Sequence, residues 1–287
     1  MKHIFTIIFM ITLLNAEVTL QVLGSGGPEL TDRASASYLI KKDNKAKILI
    51  DFGGGAALRF GQSKANIEDL NAVLITHLHI DHVVDLPALM KAGYFSSRSE
   101  TLPLVGPTGS RSFPGFKEYI NLQFGKHGAY RYMHDILSDS SDSFKIEATE
   151  VEDKQSFNFK GIKVEALAVN HGMVPAIAYS IEIEGKKIVF SGDTTAQSDN
   201  LIALSKNADL LIAHHAIPQN GWHGARQLHM TPERIGEVAA KANVKKLLLS
   251  HRMLRTLGYE KESESMIRKH YKGVILWAED LEQITIK

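Results

Sequence analysis

The stretch Thr76-His77-Leu78-His79-Ile80-Asp81-His82 constrains this chain more than any other. Four side chains able to bind a metal lie within six positions, directly after the apolar run Ala72-Val73-Leu74-Ile75. That run predicts a buried strand, which puts the cluster at a strand's carboxyl end, where catalytic loops sit. In extended backbone, residues two apart project to one side, so His77 and His79 can grip one ion together. Asp81 and His82 are neighbours and point apart, which suits a second ion beside the first. Without a cation, three imidazoles and a carboxylate crowded together would compete for the same donors.

Any such metal must be held by nitrogen and oxygen, because the chain has no cysteine, and disulfides are excluded with it. A chain of 287 residues with 44% apolar content can bury one large α/β core or two small ones. Its 33 Lys and Arg stand against 32 Asp and Glu. That balance gives no global field for a nucleic-acid backbone, while leaving room for a local patch. At the amino terminus, Met1-Lys2-His3 precedes an eleven-residue, largely apolar run from Ile4 to Leu14. The run is too short to span a bilayer comfortably and fits the core of a secretory signal. Residues 1–16 are therefore expected to be a signal peptide cleaved after Ala16. Residues 17–287 are then a single domain, exported to the periplasm or secreted, with no stable membrane anchor. Leu14 departs from the small residue usual three positions before cleavage, and a buried first strand is the alternative reading.

Beyond Glu17, strand-like and helix-like segments alternate without a low-complexity linker or repeat. Strands are expected at 18–23, 36–40, 48–51, 72–75, 102–105, 144–151, 157–159 and 162–169, then at 177–183, 186–190, 208–213, 247–249, 274–276 and 283–286. Helical spacing is read at 56–61, 81–94, 114–124, 130–137 and 232–242, the last with Thr231 as N-cap and Pro232 in its first turn. Strand-rich and helix-bearing stretches repeated once imply two mixed sheets packed face to face with helices outside, an αββα sandwich of the α/β class. Three more metal-capable residues follow apolar strands: His171 in Asn170-His171-Gly172, Asp193 in Ser191-Gly192-Asp193-Thr194, and His251 in Ser250-His251-Arg252. Gly172 and Gly192 allow backbone to come close.

The joint pattern resembles the metallo-β-lactamase superfamily, whose fold is an αββα sandwich with a binuclear metal edge. The resemblance covers residues 18 to 287. It implies that His77, His79 and His171 hold one metal, that Asp81, His82 and His251 hold the other, and that Asp193 bridges both. Asp51 matches a strand-end aspartate that supports the site. Within the superfamily, Leu23-Gly24-Ser25-Gly26-Gly27-Pro28 and His229-Met230-Thr231-Pro232 resemble the ribonuclease Z branch. The stretch Asp85 to Leu89, the pair Tyr94-Phe95 and Gly106-Pro107-Thr108-Gly109 look closer to arylsulfatases of this fold. Two departures from ribonuclease Z stand out. His214-His215-Ala216 replaces its His-Glu-Ala, and the long arm that grips tRNA has no counterpart between Ala148 and Val169, where only a hairpin fits.

The donor set suits two Zn²⁺ ions, with Mn²⁺ or Fe²⁺ as substitutes. A hydroxide bridging two such ions would attack a tetrahedral ester. Asp81 and His229 are the expected catalytic residues, His229 by contacting the oxyanion or protonating the leaving oxygen. His214 and His215 are read as supporting or pocket residues. His3, His127, His134 and His270 lack such a context, and His223 with Trp222 could line a pocket. The leading expectation is an arylsulfatase- or phosphodiesterase-like hydrolase of small anionic esters, with nucleic acid an improbable substrate and a homodimer allowed. The alternatives are a ribonuclease Z-type tRNA 3′-processing endonuclease or other nuclease, and a non-catalytic metal-binding module.

Overall fold

The stretches 72–74, 188–190, 210–213 and 247–249 are apolar at every position and fully buried, because both faces of the strands they belong to are covered. The computed structural model describes residues 16–139, 141 and 143–287, so the expected signal peptide lies, except for Ala16, outside the described residues. The first sheet contains β1 (Val18–Gly24), β2 (Ser37–Lys42), β3 (Lys45–Ile50), β4 (Ala72–Leu74), β5 (Leu102–Pro107), β6 (Ile146–Val151) and β14 (Gln283–Thr285). Its order is β14-β1-β2-β3-β4-β5-β6. The second holds β7 (Lys154–Phe159), β8 (Ile162–His171), β9 (Val174–Ile183), β10 (Lys186–Phe190), β11 (Leu210–His214), β12 (Lys246–Ser250) and β13 (Val274–Trp277). Its order is β13-β12-β11-β10-β9-β8-β7.

Each sheet joins an antiparallel half to a parallel half. Strands β3 to β6 run parallel in the first, and β10 to β13 in the second. Successive side chains leave a strand on opposite faces, so the apolar runs divide between two layers. Ile48 and Ile50 enter the core between the sheets, while Leu49 joins the outer layer. In the second sheet Ile188, Phe190, Leu210, Ile212 and Leu248 face inward, and Val189, Leu211, Leu247 and Leu249 face outward.

Helices α1 (Ala56–Gln62), α2 (Ile80–Val83), α3 (Leu86–Gly93) and α4 (Phe116–Phe124) follow strands of the first sheet. Their buried residues, among them Phe60, Leu89, Met90 and Ile120, close its outer layer. Helices α5 (Asn200–Leu204), α6 (His223–Arg226), α7 (Pro232–Lys241) and α8 (Glu260–Arg268) belong to the second half. Leu201, Ile235, Val238 and Ile267 close the other outer layer. The expected αββα sandwich is what forms.

The single helix read over 81–94 is instead α2 and α3, broken at Val84–Asp85. The Asp85 carboxylate accepts the Ala57 backbone N–H at 2.9 Å, and Asp85 N–H donates to Phe52 O at 3.1 Å. These bonds tie the junction to the start of α1, and Pro87 restarts the helix in its first turn, where a missing N–H costs nothing. Helices α5 and α6, of five and four residues, are too short for periodicity to reveal them, and α8 carries too few apolar residues. In α8 only Ser263 and Ile267 are buried.

The two sheets are tied at one edge. Ile177 N–H donates to Thr76 O at 2.8 Å, the Tyr179 hydroxyl to Ile75 O at 2.9 Å, and the Tyr38 hydroxyl to Ser250 Oγ at 2.7 Å. Strands β3, β4, β8, β10, β11 and β12 all end at this edge. Between β6 and β10 every connection is a two-residue turn.

Candidate metal centre

Strand ends deliver the donors. Asp51 follows β3 and His77, His79, Asp81 and His82 follow β4, while His171 closes β8, Asp193 follows β10, His214 closes β11 and His251 follows β12. The backbone must turn sharply to aim them. Asp51 and His251 take positive φ values of 52° and 57°, in a region non-glycine residues seldom enter. Gly192, at φ 57°, lets the chain pass where a Cβ would lie 2.9 Å from Ile177 O and 3.1 Å from Thr76 Cβ.

One oxygen lies at the centre. Asp193 Oδ2 is 3.9 Å from His77 Nε2, 3.9 Å from His82 Nε2, 3.7 Å from His171 Nε2, 3.6 Å from His251 Nε2 and 3.6 Å from His229 Nδ1. Two ligands about 2.0–2.1 Å from a shared tetrahedral ion sit about 3.3 Å apart, so this spacing leaves room for cations between them. The donors of His77, His79, His171 and Asp193 lie within 4.8 Å of one another, as do those of His82, Asp193, His214 and His251. Asp81 Oδ2 flanks the second group, 3.2 Å from His251 Nε2 and 3.6 Å from His82 Nε2. The structure thus brings all seven sequence-predicted ligands together.

Fixed partners hold the ring orientations. His171 Nδ1 donates to Leu228 O at 2.8 Å, which turns Nε2 inward. Asp51 accepts from Thr76 N–H at 2.7 Å, Thr76 Oγ1 at 2.8 Å and His82 Nδ1 at 2.8 Å. His82 Nε2 is left buried without a hydrogen-bond partner among the described residues, as are His251 Nδ1 and His229 Nδ1. His77 Nε2 approaches His79 Nδ1 to 3.0 Å, and His171 Nε2 approaches the same atom to 3.4 Å. Nitrogen lone pairs turned on one another in this way fit a shared cation.

The electrostatics agree with that fit. Burial pushes His77, His79, His171 and His214 below the usual imidazole range, keeping their lone pairs available at neutral pH. His82 runs the other way: burial would lower it, but Asp81 and Asp51 push it up to about 9. Positive charge is demanded there, as a proton or as a metal. Burial opposes ionisation of Asp193, yet the surrounding imidazoles, His251 and His229 foremost, hold it well below the usual carboxylate range.

Residues beyond the predicted set also take part. His214 Nδ1 lies 2.6 Å from Asp193 Oδ1, so it occupies that oxygen and leaves Oδ2 to the site. Its position at the end of β11 gave the only sequence signal, and the reading as a supporting residue understated how near it comes. Thr76 joins Asp51 to the ligand loop, and the Phe113 ring stands 6.0 Å from that of His79. Nothing in the local sequence marks either. His229 is buried beside Asp193, with burial pushing it down to about 3. His215 is not part of the site: its Nε2 lies 2.9 Å from Ser263 Oγ under α8, and its ring packs edge-on to Trp277. His223 pairs with Gln227 on the surface, where Trp222 is 69% exposed. His127, His134 and His270 lie outside the site.

Residues 47–252 match the beta-lactamase superfamily domain. The chain is 30% identical, over 249 residues, to ribonuclease Z of Mycobacterium sp. (strain KMS), covering 82% of this chain and 83% of that protein. It superposes on the metallo-beta-lactamase fold protein YhfI from Bacillus subtilis with a TM-score of 0.74 at 21% identity, covering 94% of this chain and 99% of that one. The match to human tRNase Z, short form, has a TM-score of 0.73 at 21% identity and the same coverage.

These likenesses overturn the expectation of an arylsulfatase- or phosphodiesterase-like hydrolase of small esters, with nucleic acid improbable. A relative at 30% identity, and others at 26–28%, are ribonucleases Z. Apart from the exposed Phe95, the motifs behind the arylsulfatase reading prove to be packing features. Asp85 and Pro87 break and restart a helix, Tyr94 donates to Asp135 Oδ1 at 2.5 Å, and a Cβ on Gly106 would meet the Phe116 ring at 2.4 Å.

Proposed function

This chain belongs to the beta-lactamase superfamily of hydrolases, and on that premise we propose that it is a metal-dependent endoribonuclease of the ribonuclease Z type, acting on tRNA precursors. The convergence of five imidazole nitrogens on Asp193 Oδ2 at 3.6–3.9 Å supports metal-dependent hydrolysis, and the observation that carries the choice of RNA is the 30% identity to a ribonuclease Z. His77, His79, His171 and Asp193 would hold one divalent cation, zinc being the natural choice for this donor set. Asp81, His82, His251 and Asp193 would hold the second. When bound, the pair would supply a nucleophilic water at neutral pH and neutralise the phosphate oxygens.

The remaining work falls to the protein. His214 pins Asp193 Oδ1 so that Oδ2 keeps its place, and Asp51 fixes His82 through Nδ1. A ribose leaving group needs a proton far more than an aryl one does. His229 is neutral in the free protein, and an arriving phosphodiester anion beside it favours its charged form, which can then donate to the leaving oxygen. Substrate recognition must differ from that of relatives bearing a gripping arm. Strands β6 to β10 follow one another through two-residue turns, and His215 does not reach His229.

The deciding experiment compares purified protein on a precursor tRNA and on an aryl sulfate. Metal-dependent cleavage of the precursor, lost in Asp193→Ala, is expected, with negligible sulfatase activity. Failure to cut any RNA with two metals bound would overturn the reading. The substrate also requires that Met1 or the chain near it be retained on protein from the native host, rather than Glu17 standing first.

A further inference from the structure

The segment from Arg111 to His134 departs from the even charge of the chain. It carries Arg111, Lys117, Lys126 and Arg131 against Glu118 alone, while the other residues hold 29 Lys and Arg against 31 Asp and Glu. Aromatic residues alternate with these cations at Phe113, Tyr119, Tyr130 and Tyr132. Among the described residues, none of the four cations has a carboxylate within ion-pair distance, nor has Lys91. The Lys91 ammonium sits instead over three rings, 4.8 Å from the centroid of Tyr94, 5.2 Å from Tyr132 and 5.5 Å from Phe95. A cation held by ring faces keeps its positive field, which a carboxylate would cancel. Phe95 and Tyr132 are 84% and 65% exposed. Large aromatic surface and cations without an ion-pair partner are thus displayed together at the end of α3, where the Asp135 carboxylate is engaged by the Tyr94 hydroxyl. A cleft of about 630 Å³ alongside is lined in part by Lys126, His127 and His134.

Three contacts link this segment to the ligand loop, α2 and α3. Phe113 packs 6.0 Å from His79, the Tyr119 hydroxyl donates to Val83 O at 3.4 Å, and Tyr94 reaches across to Met133 O at 3.5 Å. Residues 113–133 therefore touch the ligand loop, the end of α2 and the end of α3 in turn. That helix alone is about 12 Å long, a distance over which a duplex presents several phosphates.

We propose that the exposed face of residues 91–95 and 126–134 binds the double-helical body of the RNA whose strand is cut at the metal centre. The choice of RNA as occupant rests on the function proposed above. Phosphates would meet Lys126 and Arg131, and Tyr132 and Phe95 would pack against sugar or unpaired bases. The surface does by charge and ring contact what an arm does in relatives that have one.

The test uses Lys126→Glu/Arg131→Glu, two exposed positions outside the catalytic machinery, with Tyr132→Ala as a second variant. Binding of a fluorescent RNA hairpin is measured against salt, and hydrolysis of bis(p-nitrophenyl) phosphate serves as the control. The double variant should bind at least about tenfold more weakly, and the log–log salt slope should flatten by about 1.8, the contribution of two phosphate contacts on a duplex. Hydrolysis of the small diester should not change. Wild-type affinity and salt slope in both variants would overturn the inference, as would absence of hairpin binding by the wild type. Hairpin binding that the variants weaken, without cleavage of any RNA, would keep this surface and remove the catalytic reading.

Discussion

Replacing Asp51 with asparagine should disable one half of the metal centre without unfolding the protein. The carboxylate is fully buried and accepts three hydrogen bonds, two from Thr76 and one from His82 Nδ1. Asparagine keeps the shape and one acceptor oxygen, which can still serve Thr76 N–H. Its amide then stands where Oδ2 was and presents hydrogens to His82 Nδ1. Two donors cannot face each other, so the imidazole must move its proton from Nδ1 to Nε2, the atom that points into the site. A protonated Nε2 cannot ligate. Loss of one charge-assisted bond costs about 1.5–3 kcal/mol of stability. Loss of a supporting partner typically weakens metal binding about 10–100-fold, and here the weakening should fall on the ion held by His82. Chelator-competition titration with zinc would resolve two affinities in the wild type and a selective drop of one in the variant, with thermal melts reporting the stability cost. Two unchanged affinities in a folded Asp51→Asn protein would refute the tautomer argument. Equal loss of both ions would place Asp51 in a general structural role.

His229→Ala should slow cleavage of RNA, whose leaving ribose oxygen needs a proton, far more than hydrolysis of bis(p-nitrophenyl) phosphate. Equal losses in kcat would assign the side chain to anion binding. His215, pushed down to about 4 chiefly by burial, stays neutral in the native state while the unfolded chain takes up a proton below about pH 6.5. Stability should therefore fall as pH drops from 6.5 towards 4, by about 2 kcal/mol between pH 7 and 5 from this residue alone. Urea titrations of His215→Asn should show that share of the acid loss removed. A Cβ on Gly53 would meet Asp81 O at 2.0 Å, so Gly53→Ala must displace the ligand loop. Reduced metal content per purified chain is the expected reading, and normal occupancy would argue against the tight approach.

The candidate site was legible because its ligands follow apolar strands, and strand ends are the one place where periodicity and chemistry both leave marks. His77, His79, Asp81, His82, His171, Asp193 and His251 all carry that mark, and the structure brings them close together. His214 carried the same mark but was demoted, since its closeness to Asp193 depends on parallel pairing of β10, β11 and β12 that no local pattern encodes. The division of α2 from α3 was illegible for a similar reason: the apolar spacing of Val83, Leu86, Leu89 and Met90 continues through the break. The interruption comes from Asp85 bonding to α1, nearly thirty residues away in the chain. The expectation of a small ester rests on features that stand away from the metal centre, namely His215 in place of a glutamate, the missing arm, the even charge and the amino-terminal apolar run, and none of them reports on what enters the site.

Thr76 O accepts a backbone bond from Ile177, a residue of the opposite sheet, one position before the first histidine of the ligand loop. The loop is therefore referenced to both halves of the sandwich at once. Metal bonds tolerate errors of only about 0.2 Å, whereas a sheet that slips by one residue moves about 3.3 Å. The centre thus works as a gauge of how the halves are aligned. A substitution deep between the sheets, at Ile48 or Phe190 for instance, that shifts one against the other by a fraction of an ångström would register first as weakened metal affinity. The melting temperature would register it later, because hydrophobic contact yields gradually where coordination does not.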